Sequence, residues 1–384
     1  MRDAIRSLPG SKIREVANAG LGRSDVLAFW FGESDEVTPE PVRDAAATSL
    51  ARGETFYSHN LGLPELRQAI AAYTSTLHGV IADERIAVTS SGVNGLMLAM
   101  QMLVGAGDEV VAAVPLWPNL TAQPAILGAT VKRVSLRPHE GRWGLDMDQL
   151  LGAITSQTRV LLVNAPNNPT GWTLSREEQQ RLLEHCRSTG TWIVADEVYE
   201  RLYYEGEAGA PAPSFLDLAD AEDRLIVAHS FSKSFLMTGW RLGWLVLPPG
   251  YAEAMGKLLE FNSSCAPVFV QRGGLAALGI ADHFVPQLQG RMKACRDRLV
   301  GGLERLPGVC VASPPGGMYA FFRIDGQDDS LALAKQLVAD HGLGLAPGVA
   351  FGPEGEGWLR WCFAARDPAR LDLGLQRLAT ALRL

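Results

Sequence analysis

The apolar positions of this chain fall in short runs, and each run stops at small or polar residues. Arg85–Thr89, Asp108–Val114, Arg159–Asn164, Trp192–Asp196 and Leu225–Ala228 are the clearest. Their interiors do not alternate apolar with polar, so they read as strands covered on both faces. Between them the period is helical. Thr38-Pro39-Glu40 combines a hydroxyl cap, a first-turn proline and an acid, which starts a helix expected to reach about Arg52. Leu63-Pro64-Glu65 opens another, ending near Gly79; Leu96–Leu103 and about 175–188 give two more. Leu242–Leu247 reads as one further strand. Strands alternating with helices predict an α/β fold with a mostly parallel central sheet.

The texture changes near residue 281. Helices are expected over about 282–304, 330–341 and 368–383, with short strands at 309–311, 318–322 and 358–363. The expected division is a large domain over 45–280, a smaller α/β domain over 281–384, and an N-terminal arm over 1–44 that adds to the small one. Gly20 and Gly22 suggest that the arm is a loop passing into one extended segment at Leu27–Phe31.

Open α/β sheets bind ligands off the carboxyl ends of their strands. Five turns of this chain carry chemistry there. Ser90-Ser91-Gly92-Val93-Asn94 precedes a helix, and free N–H groups at a helix start suit a phosphate. Trp117, between Pro115 and Pro118, is a flat plate that either stacks on a ring or covers the core. Asn168-Pro169-Thr170-Gly171 is a tight turn presenting an amide. Asp196 ends a strand, either as a helix cap or as a functional carboxylate, with Tyr199 one turn on. The fifth turn is Ser230-Phe231-Ser232-Lys233, with Arg241 following. A lysine just past a buried strand is partly desolvated, which favours the free amine, and a free amine attacks carbonyls to form imines. Ser230 and Arg241 beside it suit an anionic group. That stretch alone is read equally well as a surface turn; the convergence of five such turns on one edge is what favours a site.

Together these residues supply what pyridoxal phosphate needs. Lys233 would hold it as an imine, Asp196 would keep its ring nitrogen protonated, Trp117 would stack on the ring, and Asn168 and Tyr199 would hold the ring oxygen. Gly92, Val93, Asn94, Ser230 and Arg241 would take the phosphate. Arg360 stands between apolar neighbours and must be paired, either by an internal carboxylate or by a substrate's. Freed from the imine, the Lys233 amine would serve as general base and acid, giving ping-pong transfer of an amino group from an amino acid to a 2-oxo acid.

Composition removes other classes. The 384 residues carry 35 Lys and Arg against 42 Asp and Glu, a net charge of −7 without basic clusters, which argues against a nucleic-acid partner. Apolar residues make up 47%, enough for a sizeable core. The five cysteines are scattered, with no metal-ligand spacing and no disulfide framework, so no metal is expected and a reducing cytoplasm is the default. No run approaches membrane-spanning length.

The lysine stretch, Ser230–Lys233 with Thr238-Gly239-Trp240-Arg241-Leu242-Gly243, resembles the lysine motif of the class I/II aminotransferases, fold-type I pyridoxal-phosphate enzymes. The resemblance runs through Gly32-Glu33 with Thr38-Pro39, Tyr57 with Gly62, Asn168–Gly171, Asp196-Glu197 with Tyr199, Pro347-Gly348 and Arg360. It implies a homodimer with shared active sites, in which Tyr57 reaches the partner subunit's phosphate. It also implies that Gly32 lies near the substrate. From the residues alone, Tyr57 reads as surface packing. The alternatives are a pyridoxal-phosphate lyase or synthase on the same scaffold, a non-catalytic aminotransferase-like ligand-binding protein, and a dinucleotide-dependent dehydrogenase, which would need a glycine motif not found here. The substrate pair is not legible.

Overall fold

The computed structural model describes residues 1–383. Its centre is a seven-stranded sheet built from β1 (Ile86–Thr89), β2 (Glu109–Val114), β3 (Thr130–Ser135), β4 (Thr158–Asn164), β5 (Trp192–Asp196), β6 (Leu225–Ser230) and β7 (Gly243–Val246). The spatial order is β1-β7-β6-β5-β4-β2-β3. All neighbours are parallel except β7, which runs antiparallel to both β1 and β6. The chain between β6 and β7 holds only a four-residue helix and a short 3-10 turn. It contains no long crossover helix of the kind that parallel pairing requires, so the strand returns antiparallel.

Successive residues of each central strand point to opposite faces, and both faces are covered. Val111, Leu161, Val163, Ile193 and Val227 pack in one apolar cluster. Val110, Leu162, Val194, Ile226 and Leu245 pack in the other. This two-sided burial explains why the strands show no alternation in sequence. The helices Glu40–Ala51, Pro64–Leu77, Gly92–Leu103 and Arg176–Thr189 lie within a few residues of their expected bounds.

A second sheet, of four strands, is formed by β8 (Val309–Val311), β9 (Tyr319–Ile324), β10 (Ala346–Pro347) and β11 (Trp358–Cys362) in the order β8-β9-β11-β10. It is antiparallel throughout. The register sets Phe321 of β9 and Ala346 of β10 on either side of Arg360.

The N-terminal arm departs from expectation. It contains a helix, Lys12–Ala19, where a loop was read. Ser11 caps it by accepting from the Arg14 N–H, and Ile13, Val16 and Ala17 form its buried face. The expected extended segment shrinks to Leu27–Ala28, paired in parallel with Leu343–Gly344. The chain therefore crosses back to the C-terminal part. No helix among the described residues is long and apolar enough to cross a membrane.

Candidate active site

A cavity of about 530 Å³ opens at the carboxyl ends of the central strands. Gly32, Gly92, Val93, Trp117, Asn168, Asp196, Tyr199, Ser230, Lys233, Arg241 and Arg360 all line it. Two of the expected residues do not. Asn94 sits in the first turn of its helix with a buried side-chain oxygen that has no partner. Tyr57 projects from a loop and is 89% exposed.

The phosphate turn is shaped by backbone. Ser91 adopts φ 119°, ψ 159°, a region that non-glycine residues rarely enter and that costs about 1–3 kcal/mol. Its side chain accepts from the Asn94 N–H at 3.2 Å. That leaves the N–H groups of Gly92 and Val93 without a partner inside the helix. The turn is closely packed from below: a Cβ on Gly243 would meet the Gly92 nitrogen at 2.5 Å, and one on Gly92 would meet the Ser230 Cβ at 3.2 Å. Opposite, the Ser230 hydroxyl donates to the Ser232 hydroxyl at 2.9 Å. Arg241, in a left-handed conformation at φ 55°, donates to the Thr238 carbonyl at 2.5 Å. Two serines, an arginine and free N–H groups thus ring one end of the cavity, a donor set suited to a phosphate dianion.

Lys233 enters beside that end. Its Nζ donates to the Gly32 carbonyl at 2.6 Å and lies 5.5 Å from the centre of the Tyr199 ring. It makes no ion pair among the described residues. Burial lowers its pKa to about 8, with the charges of Cys362 and Glu33 opposing and those of Arg360 and Arg241 assisting.

Asp196, 2% exposed, ends β5. No helix follows it; the turn at 198–201 gives its carboxylate only a long hydrogen bond from the Val198 N–H, 3.4 Å. Burial pushes its pKa up to about 7, against the pull of that N–H and of the Lys233 charge. A buried carboxyl with no cation bound to it and a face on the cavity fits a protonated ring nitrogen. Tyr199 stands beside it, with its hydroxyl 2.7 Å from that of Tyr319.

Arg360 is 2% exposed and has no carboxylate within salt-bridge distance among the described residues. It donates to the Asn168 Oδ1 at 2.9 Å and to the Trp30 carbonyl. Its guanidinium carbon lies 4.2 Å from the centre of the Tyr319 ring and 4.8 Å from that of Phe351. Its Nε is buried without a partner. Both alternatives for its pairing are therefore narrowed: neutral oxygens hold it, and its charge remains uncompensated.

Sequence reasoning missed Tyr319, Ser232, Asn164 and Arg14, which also line the cavity. Ser232 stood inside the lysine stretch and could have been found there. Tyr319 reads as a core aromatic in an apolar strand, and Arg14 belongs to the helix that was read as a loop.

The donors fit pyridoxal phosphate on this geometry: an amine kept largely deprotonatable, an unpaired buried carboxyl, and a phosphate cradle with no room for a Cβ. Comparison with known proteins agrees. Residues 25–378 match the family model for "Aminotransferase class I and II". The chain is 33% identical to the aspartate aminotransferase of Pyrococcus horikoshii, over 97% of this chain and 94% of the relative. It is 28% identical to aromatic-amino-acid aminotransferase 2 of Thermococcus litoralis, over 100% and 98%. A solved aspartate aminotransferase of Thermus thermophilus, a single mutant, superposes with a TM-score of 0.91 at 29% identity, covering 99% of both chains. The chain belongs to the class I and II aminotransferases and is a pyridoxal-phosphate-dependent transaminase.

Proposed function

We propose that Lys233 carries the cofactor and moves the substrate's α-proton, and that Arg360 receives the α-carboxylate of an L-amino acid and then of a 2-oxo acid. The observation that carries this reading is the sharing of one cavity by an un-ion-paired amine, an unpaired buried carboxyl and an uncompensated buried guanidinium. Pyridoxal phosphate, when bound, supplies an aldehyde carbon for amine exchange and an electron-poor ring that withdraws charge from the substrate's α-carbon.

This chain's residues do the rest. Asp196 holds a negative charge against the ring nitrogen and keeps it protonated. Trp117, at the start of the helix Pro118–Leu127, offers its face to the ring. Arg360 engages the Asn168 oxygen, which leaves that amide's N–H₂ group as the donor available to the ring oxygen, alongside the Tyr199 hydroxyl. Gly92, Val93, Ser230 and Arg241, which line the cavity, would take the phosphate; Asn94, whose N–H is held by Ser91, would not. The substrate carboxylate pairs with Arg360 through donors that the Asn168 and Trp30 oxygens leave free, which fixes the α-carbon near Gly32 and hence near Lys233. The Lys233 amine would then take the α-proton at its Nζ and return it at the cofactor's former aldehyde carbon, on the other side of the substrate nitrogen.

We further propose a homodimer. Phe56 and Tyr57 are 82% and 89% exposed on one loop, and Phe261 is 88% exposed. Aromatic surface of this kind favours a partner copy, and across such an interface Tyr57 would reach the other subunit's phosphate. The proposed division is 45–280 for the large domain and 281–384 with the arm 1–44 for the small one. The four-stranded sheet lies wholly within 309–362, and Leu27–Ala28 pairs with Leu343–Gly344. A cytoplasmic setting is proposed from five cysteines that are all free thiols.

The test is a half-reaction screen. Each amino acid is added to the yellow holoenzyme without a 2-oxo acid, and the absorbance is followed. A true donor converts the spectrum once and stops; continued turnover begins only when a 2-oxo acid is supplied. Continuous release of ammonia without an acceptor would instead place the chain among the lyases.

A further inference from the structure

Tyr319 is buried on β9, 1% exposed, where it touches three separate parts of the site. Its ring lies 4.2 Å from the Arg360 guanidinium carbon. Its hydroxyl is 2.7 Å from the Tyr199 hydroxyl. A Cβ built on Gly32 would fall 1.9 Å from that same hydroxyl. The segment Trp30–Gly32 in turn accepts from Arg360 at the Trp30 carbonyl and from Lys233 at the Gly32 carbonyl. One phenol therefore contacts the carboxylate receptor, the tyrosine assigned to the ring oxygen, and the backbone that holds the lysine.

We propose that Tyr319 is a positioning residue: its hydroxyl donates to Tyr199 and so directs the Tyr199 proton into the cavity, while its ring seats the Arg360 guanidinium. The proposal rests on the assignment of Tyr199 to the cofactor's ring oxygen.

Proton supply sets the direction of this hydrogen bond. Each phenol has a single proton and can also accept. Two hydroxyls 2.7 Å apart share one hydrogen bond, so one proton is left for another acceptor. If Tyr199 donated to Tyr319, it would have nothing to offer the cavity. Burial raises both phenols, Tyr199 well above the usual value and Tyr319 to about 12, and the Arg360 charge pulls each of them back down. The Arg360 guanidinium carbon, 4.2 Å from the Tyr319 ring centre, draws electron density from that phenol and favours it as the donor. Donation from Tyr319 also polarises the Tyr199 O–H, which strengthens the bond that Tyr199 makes in turn. Gly32 completes the device, since any side chain there would push the Tyr319 hydroxyl off its line to Tyr199.

Four variants test it in the holoenzyme: Tyr319→Phe, Tyr319→Leu, Gly32→Ala and Gly32→Ala with Tyr319→Phe. In Tyr319→Phe the pH midpoint of the visible absorbance that reports the Lys233 linkage is expected to rise by roughly 0.5 unit or more, because a weaker donor leaves the ring oxygen more basic. The kcat is expected to fall about tenfold with KM little changed, as befits one lost hydrogen bond. Tyr319→Leu also removes the ring from Arg360, so the dissociation constant of propionate should rise about three- to tenfold, where Tyr319→Phe leaves it unmoved. Gly32→Ala should melt lower than the parent and reproduce the midpoint shift. Adding Tyr319→Phe to it should recover melting temperature, because the new Cβ then faces ring carbon at 3.0 Å in place of oxygen at 1.9 Å.

Tyr199→Phe separates the two possible failures. If it moves the midpoint and Tyr319→Phe does not, Tyr319 only packs and the inference is overturned while the Tyr199 assignment stands. If neither moves it, both are overturned.

Discussion

The side-chain nitrogen of Lys233 donates to the carbonyl oxygen of Gly32 at 2.6 Å, and no carboxylate pairs with it among the described residues. The amine is thus oriented by a neutral oxygen from the N-terminal segment. A carboxylate in that place would hold the proton on the nitrogen; a carbonyl does so far less.

The first prediction concerns that amine. In protein freed of cofactor, reductive labelling with a small aldehyde should speed up at Lys233 through pH about 8 and level off above it. Surface lysines should keep climbing to about pH 10.4. Peptide mapping across a pH series reads both at once. A Lys233 profile that coincides with the surface profile would refute the desolvation argument.

Arg360 gives the second. Its guanidinium is buried, un-ion-paired and carries a spare Nε. Arg360→Lys keeps the charge and loses the fork, so KM for the amino donor should rise about tenfold or more, the worth of one charge-assisted hydrogen bond. The same change should raise KM for the 2-oxo acid by a similar factor, because both substrates present one α-carboxylate. Unequal effects would mean that the two bind at different cations.

Asp196 gives the third. Asp196→Asn keeps the shape of the side chain and removes its charge, so the ring nitrogen loses its counter-ion. Turnover should fall by about 10²–10³-fold, as expected for one partner of a buried ion pair. Cofactor retention, measured by absorbance after dialysis, should also fall. Full activity in this variant would mean that another group sets the ring's charge.

The fourth concerns stability and lies behind the site. The fully buried side chain of His78 sits between Glu200, 3.0 Å from its Nε2, and Asp217, 2.7 Å from its Nδ1. Burial alone would lower its pKa, but the Asp217 and Glu200 hydrogen bonds outweigh burial and raise it to about 10. A raised pKa contributes stability that is fully present below the unfolded value near 6.5 and is lost as pH climbs through about 10. His78→Gln should therefore cost on the order of 3 kcal/mol near pH 6. The gap between variant and parent in urea unfolding should narrow towards pH 10.5. A gap that stays constant across that range would show that His78 acts by packing alone.

Much of the site was legible because its residues sit in turns directly after apolar strands. Lys233, Asn168, Trp117 and Gly92 follow, and Asp196 ends, strands whose burial on both faces is written in uninterrupted apolar runs, and the parallel sheet then brings them to one edge. What stayed hidden depends on contacts across long stretches of chain. The oxygens that hold Arg360 come from Asn168 and Trp30, 192 and 330 residues away. The Tyr199–Tyr319 pair spans 120 residues and joins the turn after β5 to the second sheet. No local pattern announces either. The helix Lys12–Ala19 is a different case: Ser11 as its cap and Ile13, Val16 and Ala17 at helical spacing were present in the sequence, but two glycines beyond its end drew the reading towards a loop.

The most direct test of the whole account is to reduce the holoenzyme with borohydride, digest it and weigh the peptides. The account predicts that the peptide containing Lys233 carries the mass of the reduced cofactor and that no other lysine peptide does. An unmodified Lys233 peptide, with the cofactor found on another lysine, would contradict it.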